Sequence, residues 1–215
     1  ALARRNMVEG QLRPNRVNDA GLLAALSELP RERFLPEALR SVAYADDDVP
    51  LGNGRFMMEP MVLARLIQIL QPRAEDKALV AAAGLGYGAA ILGRLTKSVV
   101  AVEADAGLAA AARKTLHELG VTGVEQVAGP SEQGAAASAP YDIVLIEGAV
   151  PEVPGAIAEQ LADGGRLATV IADPSGALGV AHLFVKQGRV VSGRPLFDAG
   201  TPLLPGFARP ARFTF

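Results

Sequence analysis

Cysteine and tryptophan are absent from this 215-residue sequence, and aromatic residues make up only 5% of it. Zero cysteine excludes a disulfide framework, a thiolate metal site and a cysteine nucleophile together. An excess of one charge is also missing. The 21 Lys and Arg residues stand against 23 Asp and Glu, for a formal charge of −2. That balance argues against electrostatic nucleic-acid binding, which needs a basic face to neutralise phosphates. Long apolar runs are lacking too. Residues 78–83 form one of the longest, far short of the ~20 that cross a bilayer. No basic-led apolar leader with a cleavage site suggests export. What is present is length for one domain with a sizeable core, and a hydrophobic half rich in alanine. The expectation is a cytoplasmic globular protein with no metal site and no membrane or nucleic-acid partner.

Three textures follow one another along the chain. Residues 1–71 read as a helical and loop-rich prologue. Asp19 can cap a helix over 20–29, where Leu22, Leu23, Leu26 and Leu29 recur at helical spacing. A short helix is expected over 35–44, a polar exit at Asp46-Asp47-Asp48, and a turn at Gly52-Asn53-Gly54. Pro60 suits the first position of a helix running to residue 70.

From 72 to 172 strands alternate with helices. Strands are expected at 78–82, 98–103, 124–127, 141–146 and 166–171, and helices at 87–95, 106–119 and 154–161. This alternation implies βαβ units and a parallel sheet. Residues 134–139 read as a solvent loop and Asp163-Gly164-Gly165 as a turn. From 173 to 215 two extended runs joined by Gln187-Gly188 read as a hairpin. A Pro-rich loop (Pro202, Pro205, Pro210) and the alternating Phe213-Thr214-Phe215 end the chain. No internal repeat is evident, so the chain reads as a single domain in three regions.

In an open parallel sheet a ligand binds at the carboxyl ends of the strands, near the switch point. The first strand leads into Ala82-Ala83-Gly84-Leu85-Gly86-Tyr87-Gly88, and the next ends in Glu103. Glycines there let backbone N–H groups approach a ligand at a helix N-terminus. A carboxylate about 20 residues on suits the ribose hydroxyls of a nucleoside cofactor. The blander alternatives are a structural turn and a solvated strand end. Residues 84–89 also fit the G-x-G-x-x-A dinucleotide pattern, but the chain lacks a second mononucleotide-binding half.

The arrangement resembles a class I S-adenosylmethionine methyltransferase, whose last strand inserts antiparallel beside the parallel ones. Within that class it is similar to the protein-L-isoaspartate O-methyltransferase family. The resemblance is carried by Leu29-Pro30-Arg31-Glu32-x-Phe34-x-Pro36, Ala43-Tyr44-x-Asp46 and Pro50-Leu51-Gly52-x-Gly54. Gly84-x-Gly86-Tyr87-x-Ala89-Ala90, Val102-Glu103-x-Asp105 and Ala139-Pro140-Tyr141-Asp142 continue it, and the last forty or so residues match poorly. It implies a Rossmann-like, doubly wound, mostly parallel seven-stranded sheet with one antiparallel strand and a helical N-terminal extension. It further implies methyl transfer from S-adenosylmethionine to the α-carboxylate of L-isoaspartyl residues in damaged proteins, a repair reaction. Cofactor contacts carried over are Ala82, Gly84, Gly86, Tyr87, Glu103 and Gly129, and the substrate loop is Met58, Glu59 and Pro60.

The departures fall on functional positions. Met58 stands where the family has a serine facing the reacting carboxylate, and Glu59 beside it would repel an anion. Val80 and Ala82 replace the acid and first glycine of the first cofactor strand, and Gly129-Pro130 replaces a Gly-Asp. Two other readings therefore stand beside repair. One is a catalytically degenerate member acting as a binding module, the other a methyltransferase retuned to another substrate. Glu147, past the 141–146 strand, is a replacement catalytic candidate or an exposed loop acid. His117 and His182 read as structural, and Asp46-Asp47-Asp48 as a solvated face with helix-capping duty.

Overall fold

The computed structural model of the chain describes residues 1–173, 175 and 178–207. The prologue begins with α1 (Leu2–Asn6), which continues as a π-helical stretch, Met7–Leu12, and then α2 (Ala20–Glu28). The Asp19 carboxylate caps α2 by accepting the Leu22 N–H at 2.7 Å. Tight 3₁₀ turns cover Arg31–Phe34 and Glu37–Val42, the second standing where the sequence suggests a longer helix. Next come two short strands, β1 (Val49–Gly52) and β2 (Arg55–Met57), paired antiparallel around the Gly52-Asn53-Gly54 turn. All three turn residues have positive φ, which explains the glycines. The turn is as expected, but the strands flanking it carry too few residues to announce themselves. Pro60 opens α3 (Pro60–Leu70), whose apolar face is buried.

The core then alternates as β3 (Lys77–Ala81), α4 (Tyr87–Leu95), β4 (Ser98–Glu103), α5 (Ala106–Glu118), β5 (Val124–Ala128), β6 (Tyr141–Val150), α6 (Gly155–Glu159) and β7 (Leu161–Ile171). The chain closes with β8 (Val180–Gln187) and β9 (Val190–Asp198). The seven strands lie in the order β5-β4-β3-β6-β7-β8-β9. The first five are parallel, β8 runs against them, and β9 returns antiparallel to β8. The Rossmann-like, mostly parallel sheet with one reversed strand is therefore present. Its last strand lies at the outer edge, though, and β8 takes the reversed place. The tight turn at Gly188 (φ +59) joins β8 and β9 as the expected hairpin.

Residues 78–81 of β3 are buried on both faces, which explains their unbroken apolar run. Helices α2, α3 and α4 cover one face of the sheet, and α6 and residues 199–207 contribute to covering the other. Two expectations are corrected. The 134–139 segment contains a 3₁₀ turn, Ala136–Ser138, rather than being a bare solvent loop, with the buried Gln160 side chain accepting the Ala135 N–H and donating to Gln133. The Asp163-Gly164-Gly165 turn is absorbed into an irregular start of β7. Pro210 and Phe213-Thr214-Phe215 lie outside the described residues.

Candidate functional site

The chain winds outward from β3 to β4 and β5, then returns across to β6, so the switch point lies between β3 and β6. The predicted groups converge at the carboxyl ends of these strands. Glu103, the last residue of β4, is fully buried, and its Oε2 accepts the Gly84 N–H at 2.7 Å. Its Oε1 accepts the Asp105 N–H at 3.0 Å, and its main-chain carbonyl accepts the Gly129 N–H at 3.0 Å. Gly84, Glu103 and Gly129 are thereby brought together as the sequence suggests. Gly84 (φ +54) and Gly86 (φ +85) shape the turn into α4. Ala82 is also left-handed, at φ +56, a conformation natural to glycine.

The central feature is a residue that no motif marks. Arg55, at the start of β2, is buried and forks onto Glu103, with Nη2 2.6 Å from Oε2 and Nε 3.2 Å from Oε1. The same Nη2 donates to the Ala82 carbonyl at 2.7 Å. The β1–β2 hairpin thus lies across the glycine turn. Its Asn53 amide donates to Asp105 Oδ2 at 3.1 Å, so the hairpin is also tied to the start of α5. In sequence, a lone arginine after a turn carries no signal of this partnership.

Arg31 belongs to the Pro-Arg-Glu-x-Phe segment, yet nothing in that motif assigns it a task. Its side chain is fully buried and donates to the Ala43 and Met58 carbonyls, each at 2.6 Å. The guanidinium carbon also stands 5.1 Å from the Tyr87 ring centroid. Burial lowers the Arg31 pKa, opposed by the nearby Tyr87 and Glu147. Met58 is buried beneath this bridge. Tyr87 is buried with its ring edge-on to Phe34 at 5.3 Å, and burial pushes its hydroxyl pKa up.

Glu147 is no exposed loop acid. It lies inside β6 and is buried, at a bulge where the spacing from Leu145 to Ala149 faces only Ala168 to Val170. Bulges re-aim side chains, and this one places the carboxyl against Gly88 in the first turn of α4. Burial raises its pKa to about 8, Arg55 and Arg31 pull it down, and Glu103 pushes it up. One atom on each of Arg31, Arg55, Tyr87 and Glu147 is buried without a hydrogen-bond partner. The cluster therefore retains unused donors and acceptors.

Residues 58–60, expected from the sequence to form a substrate loop, lie beside it. Glu59 is half-buried, and burial with Asp46, Asp48 and Asp47 raises its pKa to about 7. Its charge is thereby reduced near neutral pH. Asp46 and Asp47 are exposed as expected, but Asp48 is half-buried and accepts the Glu59 N–H at 2.7 Å just ahead of α3. Pro60 is buried at the start of α3. His117 is exposed on α5, and the half-buried His182 ring stacks on Phe184 in β8. Neither joins the site. A wide groove of about 1250 Å³ opens at the opposite edge of the sheet, between Asp76, Asp142, Arg166 and Arg194, and none of the predicted site residues lines it.

A nucleoside cofactor at this crevice would meet a Glu103 carboxylate already engaged by this chain's own donors. Both Glu103 oxygens already accept two donors each, which fills the lone-pair sites of a carboxylate. Residues 199–207 press on the same edge. Leu204 and Phe207 are buried in the cluster containing Ala82 and Val102.

Comparison with known proteins agrees with the architecture. The sequence profile described as Protein-L-isoaspartate(D-aspartate) O-methyltransferase (PCMT) matches residues 3–194. A protein-L-isoaspartate O-methyltransferase of Methanoculleus marisnigri is 38% identical over 187 residues, covering 87% of this chain and 84% of that protein. Its counterpart from Methanoregula boonei is 42% identical over 164 residues, 76% of each chain. A solved structure of a protein-L-isoaspartate O-methyltransferase superposes with a TM-score of 0.83 at 24% identity, over 95% of this chain and 67% of that one. That likeness shows the fold.

Proposed function

The chain belongs to the protein-L-isoaspartate O-methyltransferase family, and on that premise we propose that it methylates the free α-carboxylate of L-isoaspartyl residues in damaged cytoplasmic proteins. S-adenosylmethionine is the donor implied by the family. We divide the labour as a substrate-facing cap (1–71), a cofactor-binding core (72–172) and a C-terminal hairpin and tail (173–215).

The observation that carries the reading is the pair Gly84 and Glu103 at the switch point, joined through the Gly84 N–H. Each role given to this chain's residues follows from their chemistry. A carboxylate is already a nucleophile, so the protein has to hold its oxygen in line and exclude water rather than remove a proton. Arg31 fixes the loop at Met58 through its carbonyl, and the buried Met57 and Met58 make a dry wall. Arg31, held at the Met58 carbonyl, places positive charge beside this loop, which offsets what remains on Glu59.

The decisive assay incubates the protein with methyl-labelled S-adenosylmethionine and an isoaspartyl peptide, beside its normal aspartyl twin. Label entering the isoaspartyl peptide alone is expected. No transfer above a control without enzyme overturns the reading.

A second reading, a degenerate member acting as a binding module, is favoured by the saturation of Glu103 by Arg55 together with Met58 at the serine position. Transfer to neither peptide together with undetectable cofactor binding by calorimetry would select it.

A further inference from the structure

We propose that Arg55 is a built-in occupant of the ribose subsite, a latch that the nucleoside cofactor must displace from Glu103 in order to bind. The inference rests on the methyltransferase reading for the identity of the cofactor, and its own basis is the arrangement of donors around one carboxylate. Of the four hydrogen bonds on Glu103, two come from the main-chain N–H groups of Gly84 and Asp105. These are fixed by the glycine turn and by the end of β4. The other two come from the Arg55 fork. A ribose diol offers two hydroxyl donors to one carboxylate, and the Arg55 fork holds two of the same lone-pair sites. Only a side chain can vacate them without dismantling the sheet, so Arg55 is the group that has to move.

The element carrying Arg55 is suited to movement. It is a two-stranded hairpin outside the main sheet, and such a hairpin is marginal by itself. Its Val49 and Met57 are anchored in the main core, and two further contacts brace it at the turn. The first is the Asn53 bond to Asp105. The second is the Pro205 ring, which lies over Gly54 and would leave only 3.2 Å to a β-carbon there.

Pro205 sits on a segment that is itself docked on β6. The Ala149 N–H donates to the Pro202 carbonyl at 3.3 Å, and the Leu204 N–H donates to the Ala149 carbonyl at 2.8 Å. Beyond it, Gly206 packs near Glu132, past the end of β5. The segment therefore runs from β6 to β5 along the carboxyl edge, bracing the hairpin in passing. Moving the latch and loosening this segment are coupled events.

The consequence is a reduced cofactor affinity. When only a fraction of molecules has the site open, the observed Kd is the intrinsic Kd divided by that fraction. Arg55→Gln shortens the side chain beyond reach of the fork and removes its charge. The test is calorimetric titration of the intact protein and of Arg55→Gln with S-adenosylhomocysteine, with no methyl acceptor present. Binding at least tenfold tighter in the variant is expected. Unchanged or weaker binding, or binding in neither protein, overturns the latch.

Should the variant fail to fold, the unaltered protein provides the same decision. Its Arg55 Nε–H, buried and ion-paired, is expected to give a protected NMR signal that disappears at saturating S-adenosylhomocysteine. A signal that persists in the complex overturns the proposal. Both readouts are binding measurements. A failed transfer assay thus counts against the repair reading and leaves the latch to be judged separately.

Discussion

The Glu147 carboxyl is packed so closely on Gly88 that a β-carbon at residue 88 would overlap its Oε2. The glycine is therefore required by close approach, and the acid is held in a buried place against the first turn of α4. Its pKa, raised by burial to about 8, makes folding sensitive to pH in a defined direction. Between about pH 4.5 and 8 the folded protein keeps a proton that the unfolded chain has released. Stability from this group is thus greatest below about pH 4.5, falls as pH rises and levels off above about 8. Glu59, raised to about 7, acts in the same direction more weakly, because it is half-exposed and water screens it. Glu147→Gln, which cannot ionise, is expected to match the unaltered protein at pH 4.5 and to exceed its stability at pH 9 by about 1–4 kcal/mol. Urea unfolding at the two pH values measures this. An equal difference at both would remove the assigned cause.

The Arg55–Glu103 pair makes a second prediction, on stability. Breaking a buried pair from one side leaves an uncompensated charge, at a cost of about 3–5 kcal/mol. Arg55→Met and Glu103→Gln should each show a loss of that order. The double variant should lose less than the sum, since with both charges gone neither is left buried without its partner. A double-mutant cycle by urea denaturation is expected to give a coupling of about 2 kcal/mol or more.

Arg31 acts through its shape. Its guanidinium reaches two carbonyls, on Ala43 and Met58, that belong to different loops. A lysine ammonium is a compact point charge without that planar fork. Arg31→Lys should cost about 1.5–3 kcal/mol for one lost charge-assisted hydrogen bond. Amides over residues 56–60 should exchange faster in deuterium, because the loop loses its anchor there while α2 and the sheet do not.

Met58 is buried, with only 1% of its surface exposed. Met58→Leu conserves volume and should cost less than about 1.5 kcal/mol. Met58→Ser should cost about 2–5 kcal/mol through the cavity it leaves. Thermal and urea unfolding of both variants check the contrast. If the serine variant were as stable as the leucine variant, Met58 would not be a packing residue.

Much of the framework was legible without coordinates, and the reason is that its signals are local. Asp19 before a leucine periodicity marks a cap and a helix. Pro60 marks a helix start, and 78–82 with 98–103 mark buried strands. The turn at 84–88 and an acid ending the next strand mark a switch-point crevice by their spacing alone. Glu147 was legible only in part. Its position past a strand was visible, but a bulge in β6 decided that it points inward. The carboxyl-edge route of residues 199–207 had no sequence signature, since prolines and isolated apolar residues do not say what they rest on.

Which backbone could form was settled by residue order: the alternating α/β core, its caps and turns, and the composition that rules out thiol chemistry. What its charges do was settled in three dimensions. Arg55 and Glu103 are 48 positions apart in the chain, and neither carries in its neighbours any mark of the other. They meet because the β1–β2 hairpin folds back over the ends of β3 and β4. Burial then makes an isolated charge on either one costly. The alanines at 82 and 83 lie in the turn beneath them, and the carboxylate that the sequence marked for a cofactor is held by an arginine from elsewhere in the chain.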